Sequence, residues 1–268
     1  MFIEYMMLNM VYDELQVDRT QGRVTCTLSR PNKKNALTKN MFFELEDLID
    51  DIKSEEVDVI TIRGSSGDFS AGVDMTNVPK WIEQKPLEVR DQLERIHDTL
   101  RLIERLDVPV VAAIEGYCLG GALELAISCD LRIAAADAKF GLPESKLGLA
   151  INYGGGQKLP GIIGEGMAKY LVMTGEIIGA PRALEIGLVE EVADSEVADS
   201  NEFEENIINI EEKLANKPTY VHGLAKRQIH SVRPAHMDEA METAIFHAVA
   251  GYKQEETQKR SLEFIRNK

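Results

Sequence analysis

Residues 108–114 (VPVVAAI) form an unbroken apolar run, and the stretch that follows, 116–129 (GYCLGGALELAISC), carries a single charge, Glu124. A strand that is apolar on both faces must be covered on both, which confines the chain to layered α/β architectures. The surrounding pattern agrees. Residues 23–29 (RVTCTLS) alternate as a half-buried strand. Over residues 38–53, Phe42, Leu45, Leu48, Ile49 and Ile52 share one helical face, with Thr38 as N-cap. Residues 57–62 predict a strand, 86–106 a long amphipathic helix, and 130–136 and 189–192 further strands. From Glu202 onward only helical patterns remain. The expected organisation is an α/β core over residues 11–198 and an all-α region over 199–268, with a seam in the acidic segment 194–201. Periodicity alone suggests a doubly wound sheet for the core.

Composition bounds the function. The 268 residues hold 45 acidic and 30 basic side chains, a net charge of -15, which repels phosphate backbones and anionic bilayers and argues against nucleic-acid or membrane partners. Any anionic substrate must be met by local cations. Cys26, Cys118 and Cys129 are too scattered for a disulfide framework or a zinc site, so no metal is expected and a reducing, cytoplasmic compartment is. No apolar run of membrane-spanning length occurs, and the Met-rich N-terminus lacks the basic region of a signal peptide.

Glu124 is the leading candidate for chemistry. A carboxylate in an apolar helix costs several kcal/mol unless it is paired or protonated. The alternative is a structural salt bridge to a distant Arg or Lys. Gly120 and Gly121 favour the functional reading, because glycines at a helix N-terminus let an anion approach unpaired amides about one turn from Glu124. An anion hole beside a carboxylate suits oxyanion stabilisation coupled to proton transfer. Glu144, after Pro143, is the second candidate; alone it would read as a surface dipeptide. Gly154, Gly155 and Gly156 lack a dinucleotide-binding context and read as a tight turn. The five histidines, His97, His222, His230, His236 and His247, show no metal-binding spacing and read as solvated or core-packed. The acidic segment 202–212 reads as a solvated helix face.

The segments GYCLGGALELA (116–126), Cys129-Asp130, FGLPE (140–144) and Leu147-Gly148 resemble the signature of the enoyl-CoA hydratase/isomerase, or crotonase, superfamily. Arg30-Pro31, Asn35-Ala36-Leu37, FSAGVD (69–74) and Thr174-Gly175 add to the likeness. The resemblance implies a spiral of ββα turns with C-terminal helices that assemble a homotrimer or a dimer of trimers. It also implies CoA thioester substrates, with coenzyme A entering as part of the substrate and no permanently bound cofactor.

By position, the resemblance makes Val73 and Gly121 the oxyanion-binding amides, and Glu124 and Glu144 the paired carboxyls of a hydratase. It further points to Lys33, Lys34, Ala36, Ala71, Asp74, Gly120, Asn152 and Phe264 as contacts for substrate or CoA. The implied reaction is reversible syn hydration of a 2-enoyl-CoA. A Δ3,Δ2-enoyl-CoA isomerase, another CoA-ester lyase or hydrolase, or a non-catalytic acyl-CoA-binding subunit are the alternatives. Asn152 and Tyr153 depart from the glycine-rich pattern common in hydratases, and Met75-Thr76 stand where many relatives carry a lysine.

Overall fold

The computed structural model describes residues 12–193, 202–231 and 237–267. In chain order its elements are β1 (Leu15–Thr20), β2 (Arg23–Leu28), α1 (Lys39–Ile52), β3 (Val59–Gly64), α2 (Val78–Glu83), α3 (Pro86–Arg105), β4 (Val110–Ile114), β5 (Tyr117–Leu119) and α4 (Gly121–Ala126). They continue with β6 (Leu131–Ala134), β7 (Lys139–Gly141), α5 (Gly155–Ile163), α6 (Glu165–Thr174), β8 (Ile177–Gly179), α7 (Ala180–Glu185) and β9 (Glu191–Val192). The helices α8 (Glu202–Ala215), α9 (Thr219–Ser231), α10 (Met237–Tyr252) and α11 (Glu255–Arg266) complete the chain. The seam expected at 194–201 lies outside the described residues, as does His236.

Two sheets explain the topology. The larger has strand order β1-β2-β3-β4-β6-β9, antiparallel at β1–β2 and parallel thereafter. The smaller is β5-β7-β8. Strand order in the large sheet never reverses, whereas a doubly wound sheet reverses at its switch point. The doubly wound expectation is therefore corrected. After β4 the chain crosses to the small sheet as β5, turns through α4, and returns as β6 beside β4; β6 and β7 repeat the step. Bridges between Leu37 and Val73 and between Ser70 and Cys118 place the earlier turns in the same spiral.

The apolar run is covered on both faces, as its sequence requires. Val110, Ala112 and Ile114 enter the main core with Phe42, Leu45 and Leu100, while Val111 and Ala113 enter a second core closed by Phe203, Ile207 and Ile210 of α8. Each Val, Leu, Ile or Phe among them contributes about 1.5–3 kcal/mol by leaving water. Thr38 caps α1 as its sequence predicts, its Oγ1 accepting from the Met41 amide at 3.1 Å. The acidic segment opening α8 is more than a solvated face. Glu211 is buried and accepts from Thr61 Oγ1 at 2.6 Å, and Glu204 pairs with Arg63. Those carboxylates latch the helix to the sheet beneath it.

Among the described residues no helix is long and apolar enough to cross a membrane. Helix α10 packs on α3 and α5, and α11 lies over the turns at 75–77 and 143–147.

Candidate active site

Two neighbouring turns of the spiral supply the carboxyls. As β5 ends, Gly120 adopts a φ of +56°, accessible to glycine at low cost, and α4 begins at Gly121. One turn later Glu124 is 1% exposed. Its Oε1 accepts from the Tyr153 amide at 2.8 Å and the Gly155 amide at 2.7 Å. Gly155 is the first residue of α5, and a Cβ there would lie 2.9 Å from Glu124 Oε1, so only glycine permits this approach.

Lys158 stands one turn further along α5. Its Nζ is 2.8 Å from Ser128 Oγ and 3.3 Å from Glu104 Oε1, and Ser128 Oγ donates to the Glu124 carbonyl at 2.8 Å. Burial raises the Glu124 carboxyl above its ordinary range, while the Gly155 and Tyr153 amides, the Lys158 charge and the Asn152 amide pull it back. The sequence left open a salt bridge to a distant base. The carboxylate is instead held by backbone amides, with Lys158 acting through its field.

Glu144 rides on the short turn Pro143–Leu147. The residue is half-buried, but its Oε2 is out of reach of solvent and has no partner among the described residues. Its Oε1 is 2.5 Å from where a Cβ on Gly120 would stand, so the glycine makes room for the second carboxyl. Burial, then the charge of Glu124, pushes Glu144 up to about 8. The two carboxyls are thus unequal. One is gripped by the amides of two other residues and lies near a cation; the other has an unpartnered Oε2, only its own backbone amide to favour its charge, and a carboxyl raised far enough to keep its proton at neutral pH.

Beside them are two amides that are not hydrogen-bonded within the described residues, those of Val73 and Gly121. Val73 is flanked by a bridge in which the Leu37 amide donates to the Gly72 carbonyl at 2.8 Å and the Asp74 amide to the Leu37 carbonyl at 2.9 Å. Val73 Cγ2 is 2.8 Å, and Tyr153 Cε2 2.9 Å, from where a Cβ on Gly121 would stand. The bridge at Val73 and the start of α4 at Gly121 therefore meet.

The other sequence candidates fall into two groups. Gly120 and Asn152 belong to the carboxyl cluster itself, with the Asn152 side chain donating to Tyr252 Oη at 3.2 Å. Ala36, Ala71 and Asp74 frame the Val73 segment. The Ala36 carbonyl accepts from Arg30 Nη1 at 2.5 Å, and the Ala71 amide donates to the Lys34 carbonyl at 2.9 Å. Asp74 accepts from Arg30 Nη2 at 2.9 Å and from the Thr76 amide at 3.1 Å. Burial opposes its charge, but Thr76 and Arg30 outweigh burial and hold the carboxyl below its usual range. Lys33 is exposed. Lys34 is 3.3 Å from Asp68 Oδ2 and lies over the Tyr117 ring. Phe264 is half-buried on α11.

Sequence reasoning missed the amides of Tyr153 and Gly155, together with Lys158. The turn expected at Gly154 is real, with φ +100°, but it does more than turn. It aims the N-terminus of α5 at Glu124. Three consecutive glycines before a helical pattern were the available signal.

Comparison with known proteins places this geometry. The family model described as enoyl-CoA hydratase/isomerase matches residues 18–264. The crotonyl-CoA hydratase of Syntrophomonas wolfei is 37% identical over 189 residues, 70% of this chain and 72% of that protein. The short-chain-enoyl-CoA hydratase of Clostridium acetobutylicum is 36% identical over 200 residues, 74% of this chain and 72% of its own length. A crystal structure of an enoyl-CoA hydratase/isomerase from Xanthobacter autotrophicus superposes with a TM-score of 0.86 at 27% identity, covering 96% of this chain and 94% of that one. With a matching family model over nearly the whole chain and the same spiral in a solved relative, the protein belongs to the enoyl-CoA hydratase/isomerase family.

Proposed function

We propose that the protein catalyses the reversible syn addition of water to the double bond of a 2-enoyl-CoA thioester, giving a 3-hydroxyacyl-CoA. The observation that carries this reading is the inequality of the two buried carboxyls. Hydration needs a base for water and an acid for Cα, and neighbouring carboxyls that cannot both ionise cheaply divide into those roles.

Glu124, whose charged form the amides of Tyr153 and Gly155 favour against burial, takes a proton from water as the hydroxyl oxygen bonds to Cβ. The π electrons move toward the thioester, whose oxygen gains enolate charge and is met by the Val73 and Gly121 amides. Glu144 then delivers its proton to Cα. At the end of the turn Glu124 is protonated and Glu144 ionised, and proton exchange through solvent restores the starting pair. The reverse sequence dehydrates the 3-hydroxyacyl-CoA. The names of the Syntrophomonas and Clostridium relatives favour short acyl chains as the substrate class.

The test follows enoyl-thioester absorbance with crotonyl-CoA. Wild type should consume it, and Glu124→Gln and Glu144→Gln should each lose about 10²–10⁴ in turnover, the usual yield of a positioned acid or base. Full rate in both variants would refute the assignment. An isomerase working through Glu144 alone would keep its rate in Glu124→Gln. For assembly we propose a homotrimer or a dimer of trimers, which sedimentation would test.

A further inference from the structure

His97 lies on α3 with its ring 1% exposed, and its Nε2 is hydrogen-bonded to the carbonyl oxygen of Asn152. A carbonyl oxygen only accepts, so Nε2 carries the hydrogen of a neutral ring and Nδ1 is left with a bare lone pair. Nδ1 is buried and has no partner among the described residues, which suits an atom with no proton to place. The charged groups facing the ring are Lys158, Arg101 and Asp98. Burial, with Lys158 and Arg101, pushes the imidazole down to about 4, so it is neutral wherever an enzyme of this kind would operate.

The carbonyl that His97 grips and the amide that grips Glu124 are the two ends of one planar peptide group. Asn152 supplies the C=O, and Tyr153 supplies the N–H that reaches Glu124 Oε1 at 2.8 Å. Rotation of that plane would carry the N–H away from the carboxylate. A hydrogen bond accepted at the oxygen also polarises the N–H opposite. The same helix fixes Lys158 through Glu104, seven residues beyond His97.

We propose that His97 is a positioning residue for the reaction: by donating to the Asn152 carbonyl it locks the Asn152–Tyr153 peptide with its N–H on Glu124 and so sets the orientation and basicity of that carboxylate. The inference rests on the reading of Glu124 as the base toward water. The groups that share the field at Glu124 are Glu144, Lys158, Tyr153 and Tyr252. None of these is altered by changing His97.

The experiment compares wild type, His97→Leu, His97→Gln and Glu124→Gln with crotonyl-CoA across pH. His97→Leu should lower kcat on the order of tenfold, the scale of a reacting group displaced by a fraction of an ångström, with KM within about twofold. Its acid limb should move to higher pH, because Glu124 loses part of the donation that favours its charged form. His97→Gln, which offers an amide N–H to the same carbonyl, should recover most of both effects. Equal impairment of the Leu and Gln variants, or impairment of neither, overturns the proposal. Nitrogen NMR of the wild-type imidazoles supplies a readout independent of any variant: His97 should be neutral with hydrogen on Nε2, and hydrogen on Nδ1 would overturn the relay outright. If Glu124→Gln keeps full rate, the base assignment fails and this inference with it. If Glu124→Gln is inactive while His97→Leu matches wild type, only this inference fails.

Discussion

Replacing Glu144 by Gln should lower turnover by about 10²–10⁴ and yet stabilise the fold in alkaline solution. In the unfolded chain the Glu144 carboxyl ionises near its ordinary value of 4.5, whereas in the folded protein burial and Glu124 raise it to about 8. The folded state therefore binds this proton more tightly. The associated stability is fully present below 4.5 and is lost as pH rises through about 8. At 1.36 kcal/mol per pH unit, integration between pH 5 and pH 9 gives a loss of about 4 kcal/mol from this group in wild type. Glutamine has no proton to lose. Urea unfolding of wild type and Glu144→Gln at pH 5, 7 and 9 reads the titration of the Glu144–Glu124 pair, since the difference between them cancels groups that do not interact with Glu144. The variant should gain progressively on wild type and be the more stable of the two at pH 9. A difference that is the same at all three values would show that Glu144 is not held protonated in the folded protein, and the acid role would fall with it.

The same pair should give a bell-shaped rate profile whose alkaline limb lies near pH 8, where Glu144 loses its proton; a rate still rising at pH 10 would contradict this. Gly155→Ala would set a methyl 2.9 Å from Glu124 Oε1 and should lower kcat about 10²-fold while the protein still unfolds cooperatively. Lys158→Met removes the cation 3.3 Å from the buried Glu104 and should lower the urea midpoint. It should also move the acid limb upward, because the cation that favours ionised Glu124 is gone. Thr61→Val leaves Glu211 without its 2.6 Å donor, which should cost about 1–2 kcal/mol in denaturant titration and leave turnover unchanged.

How much of this was legible in the residues depends on where the information resides. The apolar run at 108–114 announced a strand between two cores, and the structure assigns its alternate side chains to each. Glu124 was legible because a charge in an apolar helix has to be explained, and Gly121 because a glycine at a helix start exposes amides. Strands β5, β7 and β8 were not, since three residues are too short to show a period. Without them the second sheet, and hence the spiral, came only from the family likeness. The grip on Glu124 was hidden for a different reason: backbone amides have no side-chain signature. In the acidic segment, the spacing of Phe203, Ile207 and Ile210 did signal a buried stripe, and the charges drew attention from it.

Because main-chain groups hold Glu124, positions 152 and 153 can exchange side chains without surrendering the attachment they provide. The Asn152 amide group and the Tyr153 ring line the cluster, while their peptide N–H and C=O do the holding. A change of side chain at either position therefore alters the shape of the cluster and leaves the main-chain grip on Glu124 in place.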